Sequence, residues 1–175
     1  MKIVIADKLP ASAIALLRNE GWTVKAEPAR STDQLIADLS DADALIIRSA
    51  TQVTSSLIEA APKLRAIARA GTGVDNVDVG TASEKGIVVM NAPGANSISV
   101  AELAIALLLG LARRIPAADA SMKQGKWNKR LFMGEELRDK TLGLAGLGRI
   151  GQEVCRRARA LEMRVIAHDP FIAKP

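Results

Sequence analysis

The sequence predicts an α/β protein built on a parallel sheet with helices on both faces, followed by a single βαβ unit that carries a nucleotide fingerprint. Three observations carry this. Over the first 90 residues, short apolar runs alternate with helical patterns, the signature of βαβ units. Residues 91–97, NAPGANS, form a turn-rich boundary. Beyond a long apolar helix, Gly146-Leu147-Gly148-Arg149-Ile150-Gly151 lies between an apolar strand pattern and a helical one.

Taken in order, residues 2–6 read as a buried strand and residues 11–19 as a helix stopped by Gly21. Residues 22–25 are a second strand. Residues 32–39 are a helix with Ser31 as its N-cap. A third strand at 44–47 precedes a helix at 55–61, opened by Thr54 and stopped before Pro62. Strands at 65–69 and 87–90 flank a helix at 77–85. Ligands on parallel sheets sit at the carboxyl ends of the strands. Those ends are here Asp7 and residues 48–51, 69–76 and 91–96.

The helix at 98–113 is apolar nearly all round, so it belongs in a core or an oligomer interface. Pro116 breaks it. A second, amphipathic helix runs to about Gln124, and a loop covers 125–139. A strand at 141–145, a helix at 149–161 and a strand at 163–168 complete the chain. A full Rossmann sheet needs about six strands, so the second domain is expected to be cut short. The edge beyond 163–168 is expected to need cover from another chain.

Composition excludes several function classes. At 175 residues with 49% hydrophobic and 25% charged, the chain is an ordinary globular protein. A net charge of +5 raises nucleic-acid binding, but the basic residues are scattered and no aromatic residues interleave them. A small anionic substrate accounts for the charge more simply. Cys155 is the only cysteine, which rules out a disulfide framework or a cysteine metal site and fits a reducing, cytoplasmic setting. The most apolar stretch, 98–112, is too short for a membrane span and carries Glu102.

The glycine motif has the context that makes it informative. Gly146 allows a tight turn out of the strand, Gly148 lets backbone approach a pyrophosphate, and Gly151 lets the helix pack closely. The amides of Arg149 and Ile150 would face the phosphates at the helix start. Asp169, 18 positions after Gly151, would accept from the ribose hydroxyls. An aspartate there repels a 2′-phosphate, which favours NAD over NADP. The alternative is a tight strand–helix turn that binds nothing.

"RAGTGVDNVD" (69–78), "NAPGANSISVAELAIALLLGLAR" (91–113), "GKWNK" (125–129), "TLGLAGLGRIGQEV" (141–154) and "IIRSATQVT" (46–54) together resemble the D-2-hydroxyacid dehydrogenase family. The resemblance runs the length of the chain. It implies a flavodoxin-like substrate domain over residues 1–92, lacking its C-terminal return segment. It implies the first part of a Rossmann NAD-binding domain over 93–175, with residues 98–113 as a dimer-interface helix.

Carried over by resemblance, Arg48, Arg69 and Gly73 line the substrate side of a cleft, and Thr72 contacts the cofactor near its nicotinamide. Gly146, Gly148, Arg149, Ile150, Gly151 and Asp169 hold the rest of the NAD. Asn96, Ser97 and Glu102 match the hinge and first-helix motif. Lys129 or Arg130 matches a basic position that can reach the neighbouring subunit's substrate phosphate. Arginine forks suit a substrate with a phosphate and a carboxylate, and the alternative for each is a solvated surface cation.

The family's catalytic histidine, arginine and glutamate fall after residue 175, so no catalytic residue is assigned in this chain. His168, the one histidine, would lie at the adenosine end and reads as structural or solvated. Cys155 reads as packing. Two functions are therefore expected to compete. One is an NAD-dependent 2-hydroxyacid dehydrogenase of which this is the N-terminal portion, inactive alone. The other is a non-catalytic, dimerising nucleotide-binding module.

Overall fold

The computed structural model describes residues 1–28 and 30–172. The chain divides into two compact units, one ending at Ala95 and the other starting at Asn96. The last three residues of the expected second domain lie outside the described residues.

The first unit is a five-stranded, wholly parallel sheet. Its strands are β1 (Lys2–Ile5), β2 (Thr23–Ala26), β3 (Ala44–Ile47), β4 (Ala66–Arg69) and β5 (Val88–Asn91). They lie in the order β2-β1-β3-β4-β5, the flavodoxin-like arrangement with its crossover switch between β1 and β3. Register aligns Val4 with Leu45, Leu45 with Ile67, and Ile67 with Val89. This row runs across one sheet face; Val4, Leu45 and Ile67 are fully buried, and Val89 packs against them. β-branched and leucine side chains at a period of two give β1, β3, β4 and β5 such a face.

The connecting helices are α1 (Ala11–Asn19), α2 (Thr32–Leu39), α3 (Ser55–Glu59) and α4 (Val79–Glu84). Ser31 caps α2 as expected, and Gln34 completes a capping box. The Gln34 amide donates to Ser31 Oγ at 3.2 Å, and the Ser31 amide donates to Gln34 Oε1 at 3.0 Å.

Two helices of this unit are shorter than the sequence predicts. α3 stops at Glu59, because the chain before Pro62 turns the Ala61 amide onto the Ile58 carbonyl, three residues back, at 3.2 Å. α4 begins at Val79, not Val77. Asp78 is its N-cap, accepting from the Thr81 amide at 3.0 Å, while Val77 forms a parallel bridge with Val53.

The second unit holds α5 (Ser97–Ala112), α6 (Ile115–Lys123), a 3-10 turn (Lys129–Phe132), β6 (Thr141–Ala145), α7 (Arg149–Ala160) and β7 (Arg164–His168). β6 and β7 pair in parallel, from Thr141 opposite Arg164 to Ala145 opposite His168. α5 packs on α7, with Ala101 and Ala158 both fully buried, so small residues set the helix approach. Arg157 on α7 joins Glu153 at 2.6 Å and reaches Glu102 on α5 at 3.5 Å.

The α5–α6 break falls before Pro116. Arg114 takes a left-handed conformation with φ of 53°, and Pro116 then sits in the first turn of α6. The loop expected over 125–139 contains the 3-10 turn, closed by the Leu131 amide on the Asn128 carbonyl at 3.0 Å.

α5 is apolar all round, yet within this chain one side of it is uncovered. Leu103, Leu107 and Leu111, at helical spacing on that side, are 59–80% exposed. Among the described residues no helix is long and apolar enough to cross a membrane.

Candidate functional site

In the first unit, the sequence-predicted residues gather at the carboxyl edge of the sheet. β3 and β4 are neighbours, with Ile47 opposite Arg69. Arg48 follows Ile47 directly, so two arginines close adjacent strands. Arg48 is exposed, and its side chain makes no ion pair or hydrogen bond among the described residues. Its backbone is held firmly: the amide donates to Asp7 Oδ2 at 2.5 Å, and the carbonyl accepts from Asn76 Nδ2 at 2.7 Å.

Arg69 is turned back beneath its own loop. Nη1 donates to the Gly73 carbonyl at 2.7 Å, and Nη2 lies 3.5 Å from Asp75 Oδ1. The side chain is only 12% exposed, and Nε is buried without a hydrogen-bond partner among the described residues. Gly73 leaves room for this pair: a Cβ at that position would stand 2.7 Å from Asp75 Oδ1 and 3.2 Å from Arg69 Nη1, so the Asp75 side chain would have to move. The Thr72 carbonyl accepts from Asn91 Nδ2 at 2.5 Å, tying the loop to the end of β5. The loop after β4 thus carries Arg69, Thr72 and Gly73 in one braced segment.

In the second unit, the glycine-rich turn joins β6 to α7. Gly146 has φ of 101°, a left-handed conformation that favours glycine, and its amide donates to the His168 carbonyl at 2.8 Å. A Cβ on Gly151 would drive into the Gly146 carbonyl oxygen, so the helix packs on the turn more closely than any side chain allows. Gly148 is the N-cap of α7 and offers no side chain to the helix amides, and the first turn holds no acidic residue. The amide end of the helix is therefore open to an anion brought by a ligand.

Asp169 follows β7 and accepts from the Leu147 amide at 2.7 Å through Oδ2 and from the Phe171 amide at 2.9 Å through Oδ1. These two amides, Leu147 first, hold its carboxyl below the ordinary carboxylate range. An ionised acceptor beside a glycine turn, with an uncapped helix start, fits the pyrophosphate and ribose of a dinucleotide.

The remaining residues are placed as follows. Lys129 and Arg130 begin the 3-10 turn and are exposed. Arg149 and Ile150 open α7. Ser97 opens α5, buried, with its Oγ lacking a hydrogen-bond partner. Asn96 is the N-cap position of α5, and Glu102 meets Arg157. His168 is exposed at the end of β7, and Cys155 is half-buried on α7. No group of three or more His, Cys, Asp or Glu among the described residues could hold a metal ion.

The family model for the catalytic domain of D-isomer specific 2-hydroxyacid dehydrogenases matches residues 3–166. The chain belongs to this family. It is 49% identical over 174 residues to a D-3-phosphoglycerate dehydrogenase of Archaeoglobus fulgidus, covering 99% of this chain and 33% of that protein. It is 48% identical over 174 residues to a hydroxypyruvate reductase of Thermotoga maritima, covering 99% of this chain and 56% of that one. The NAD+-bound 3-phosphoglycerate dehydrogenase of Entamoeba histolytica superposes with a TM-score of 0.79 at 33% identity, over 99% of this chain and 55% of that one. The chain spans about a third of the length of the first curated relatives it matches.

Sequence reasoning missed Asp7, Asn76 and Asn91 as working parts of these loops. Asp7 and Asn76 were visible only as polar residues at strand ends. Their partners, Arg48 and Thr51, lie 25 to 44 residues away, and no local pattern records such pairings.

Proposed function

We propose that this chain, within its full-length protein, serves the NAD-dependent oxidation of D-3-phosphoglycerate to 3-phosphohydroxypyruvate, the first step of serine biosynthesis. The observation that carries this reading is the pair of arginines closing neighbouring strands, Arg69 opposite Ile47 and Arg48 beside it. Two arginines at the carboxyl edge of one sheet, Arg69 held by its loop and Arg48 held through its backbone, suit a small acid bearing both a carboxylate and a phosphate. The 49% identity to a D-3-phosphoglycerate dehydrogenase supports the same substrate.

In this reading residues 1–92 are the substrate domain and 93–175 belong to the cofactor domain. Arg48 and Arg69 hold the anionic substrate, with Gly73 keeping the loop close to Arg69. Lys129 and Arg130 supply positive charge to the substrate of a neighbouring subunit. Thr72 borders the nicotinamide. Gly146, Gly148, Gly151 and the Arg149 and Ile150 amides receive the pyrophosphate, and Asp169 takes the ribose hydroxyls and disfavours a 2′-phosphate. NAD, when bound, supplies the hydride acceptor. His168 stands at the adenosine end in this reading and is not assigned as the proton acceptor.

The bare face of α5 is assigned to a homo-oligomer contact, burying Leu103, Leu107 and Leu111 against a second subunit. A cytoplasmic location accords with the single Cys155. A second reading, reduction of hydroxypyruvate or glyoxylate, is favoured by the 48% identity to a hydroxypyruvate reductase.

Steady-state assay of the full-length protein separates the two. Efficient NAD reduction with D-3-phosphoglycerate supports the first reading. The Arg48→Ala variant should then raise KM for that substrate by on the order of a hundredfold, and KM for unphosphorylated D-glycerate much less. Equal effects on both substrates, or turnover only with unphosphorylated acids, favour the second.

A further inference from the structure

The turn over residues 48–51 is clamped through the backbone of the same two residues on both its amide and its carbonyl groups. Asp7, just past β1, takes the amide side. Its Oδ2 accepts from the Arg48 amide at 2.5 Å and the Thr51 amide at 3.3 Å, and its Oδ1 accepts from the Thr51 hydroxyl at 2.8 Å. Asn76 takes the carbonyl side. Its Nδ2 donates to the Arg48 carbonyl at 2.7 Å and to the Thr51 carbonyl at 2.6 Å.

Asn76 is 4% exposed, and its orientation has no freedom, since two carbonyls face it and only the amide NH2 can serve them. Its own backbone carbonyl accepts from the Val53 amide at 2.8 Å, so the side chain projects from an anchored base. Its Oδ1 is buried with no hydrogen-bond partner among the described residues, a disposition that costs stability. A buried polar side chain kept at such a cost, with both protons committed to one turn, acts to hold geometry.

We propose that Asp7 and Asn76 are positioning residues that fix the 48–51 turn and, through it, the point from which the Arg48 side chain reaches an anionic substrate. This rests on the substrate role assigned to Arg48 above. Neither residue touches the substrate. Asp7 spans from β1 to the end of β3, across the switch point of the sheet, and Asn76 reaches the same turn from the loop after β4. Displacement of the turn would move the arginine without altering its charge. An error of about 1 Å in a substrate clamp is enough to cost on the order of a hundredfold in turnover efficiency.

The test uses the full-length protein with Asp7→Ala, Asp7→Asn, Thr51→Val and Asn76→Ala. Hydrogen exchange at the Arg48 and Thr51 amides is followed together with KM for the hydroxy acid, KM for NAD and kcat. Asp7→Ala and Asn76→Ala should speed exchange at these amides at least tenfold and raise the hydroxy-acid KM at least tenfold, with KM for NAD changed less than threefold. Asp7→Asn should restore both readouts, because its amide oxygen still accepts from the Arg48 amide while the Thr51 hydroxyl turns to accept from Nδ2. Thr51→Val keeps a protein that folds if Asn76→Ala does not, and should show a smaller change in the same direction.

Unchanged exchange overturns the proposal, as does faster exchange with an unaltered hydroxy-acid KM. Equal rises in both Michaelis constants overturn it too, since they mark a general loss of structure. If the wild-type protein turns over no 2-hydroxy acid, the proposed function fails by itself, and exchange at the two amides still decides whether the clamp exists.

Discussion

The amide of Leu147 donates to Oδ2 of Asp169 over 2.7 Å, so the acidic residue after β7 holds the glycine-rich turn after β6. Asp169 therefore has two tasks in the proposed reading: it shapes the turn, and it offers a carboxylate to a ribose. Asp169→Ala should weaken NADH binding by about ten- to a hundredfold in calorimetric titration of the full-length protein, the size of losing hydrogen bonds to a charged group. Asp169→Asn, which keeps an acceptor for Leu147, should lose less.

The same carboxylate sets a pH dependence. Its pKa is depressed from the ordinary 3.8 by the Leu147 and Phe171 amides. A depressed folded-state value means the unfolded chain binds the proton more readily, so the contribution to stability is present above the ordinary value. That contribution is lost as pH falls through the lower folded value. Asp78 behaves alike, held down by the Thr81 amide and hydroxyl at the start of α4. Urea unfolding midpoints should fall on acidification from pH 5 to pH 3, and the fall should be smaller in Asp78→Ala and Asp169→Ala than in the wild type.

Gly151→Ala tests the close approach of α7 to the turn. The new methyl group meets the Gly146 carbonyl oxygen, which is backbone and cannot rotate aside. The expected cost is about 1–3 kcal/mol of stability, measured by urea denaturation, with loss of detectable NADH binding. Gly143→Ala is the control: no atom lies within 4 Å of the added carbon, so it should do neither.

Leu107→Glu places a charge on the uncovered side of α5, where Leu107 is 65% exposed within this chain. If α5 forms the subunit contact, sedimentation analysis of the full-length protein should show a shift from oligomer to monomer, with affinity weakened on the order of a hundredfold or more. An unchanged sedimentation coefficient would remove α5 from the interface.

Leu45→Ala empties the centre of the buried row Val4–Leu45–Ile67–Val89 and should cost about 2–5 kcal/mol. Ser31→Ala removes the α2 capping box and should cost about 1 kcal/mol. Both are read from urea unfolding curves, with the first shift clearly the larger.

Most of the elements were legible in the sequence because their causes are local. Alternating apolar runs marked β1 to β5, Ser31 and Thr54 marked the starts of α2 and α3, and the glycine spacing marked the turn into α7. The starts of α4 and α6 were not legible in that way. Asp78 caps α4 only because Val77 is drawn into a bridge with Val53, and Arg114 accepts a left-handed conformation between two packed helices. Within the candidate site, the residue types at the strand ends could be read, and so could the glycine fingerprint. The partners of Arg69 and the braces on Arg48 could not.

The sequence by itself determined the α/β class, the alternation of elements and the family, because hydrophobic period, caps and glycine positions act over a few residues. Only the tertiary structure decided the strand order β2-β1-β3-β4-β5 and the burial of Arg69 beneath Gly73. It alone brought Asp7 and Asn76 onto one turn and set Asp169 against Leu147. The reason is physical. Apart from the Arg69–Gly73 bond, these contacts join residues from separate strands and loops, and parallel pairing within each sheet brings them together only after the crossover has closed.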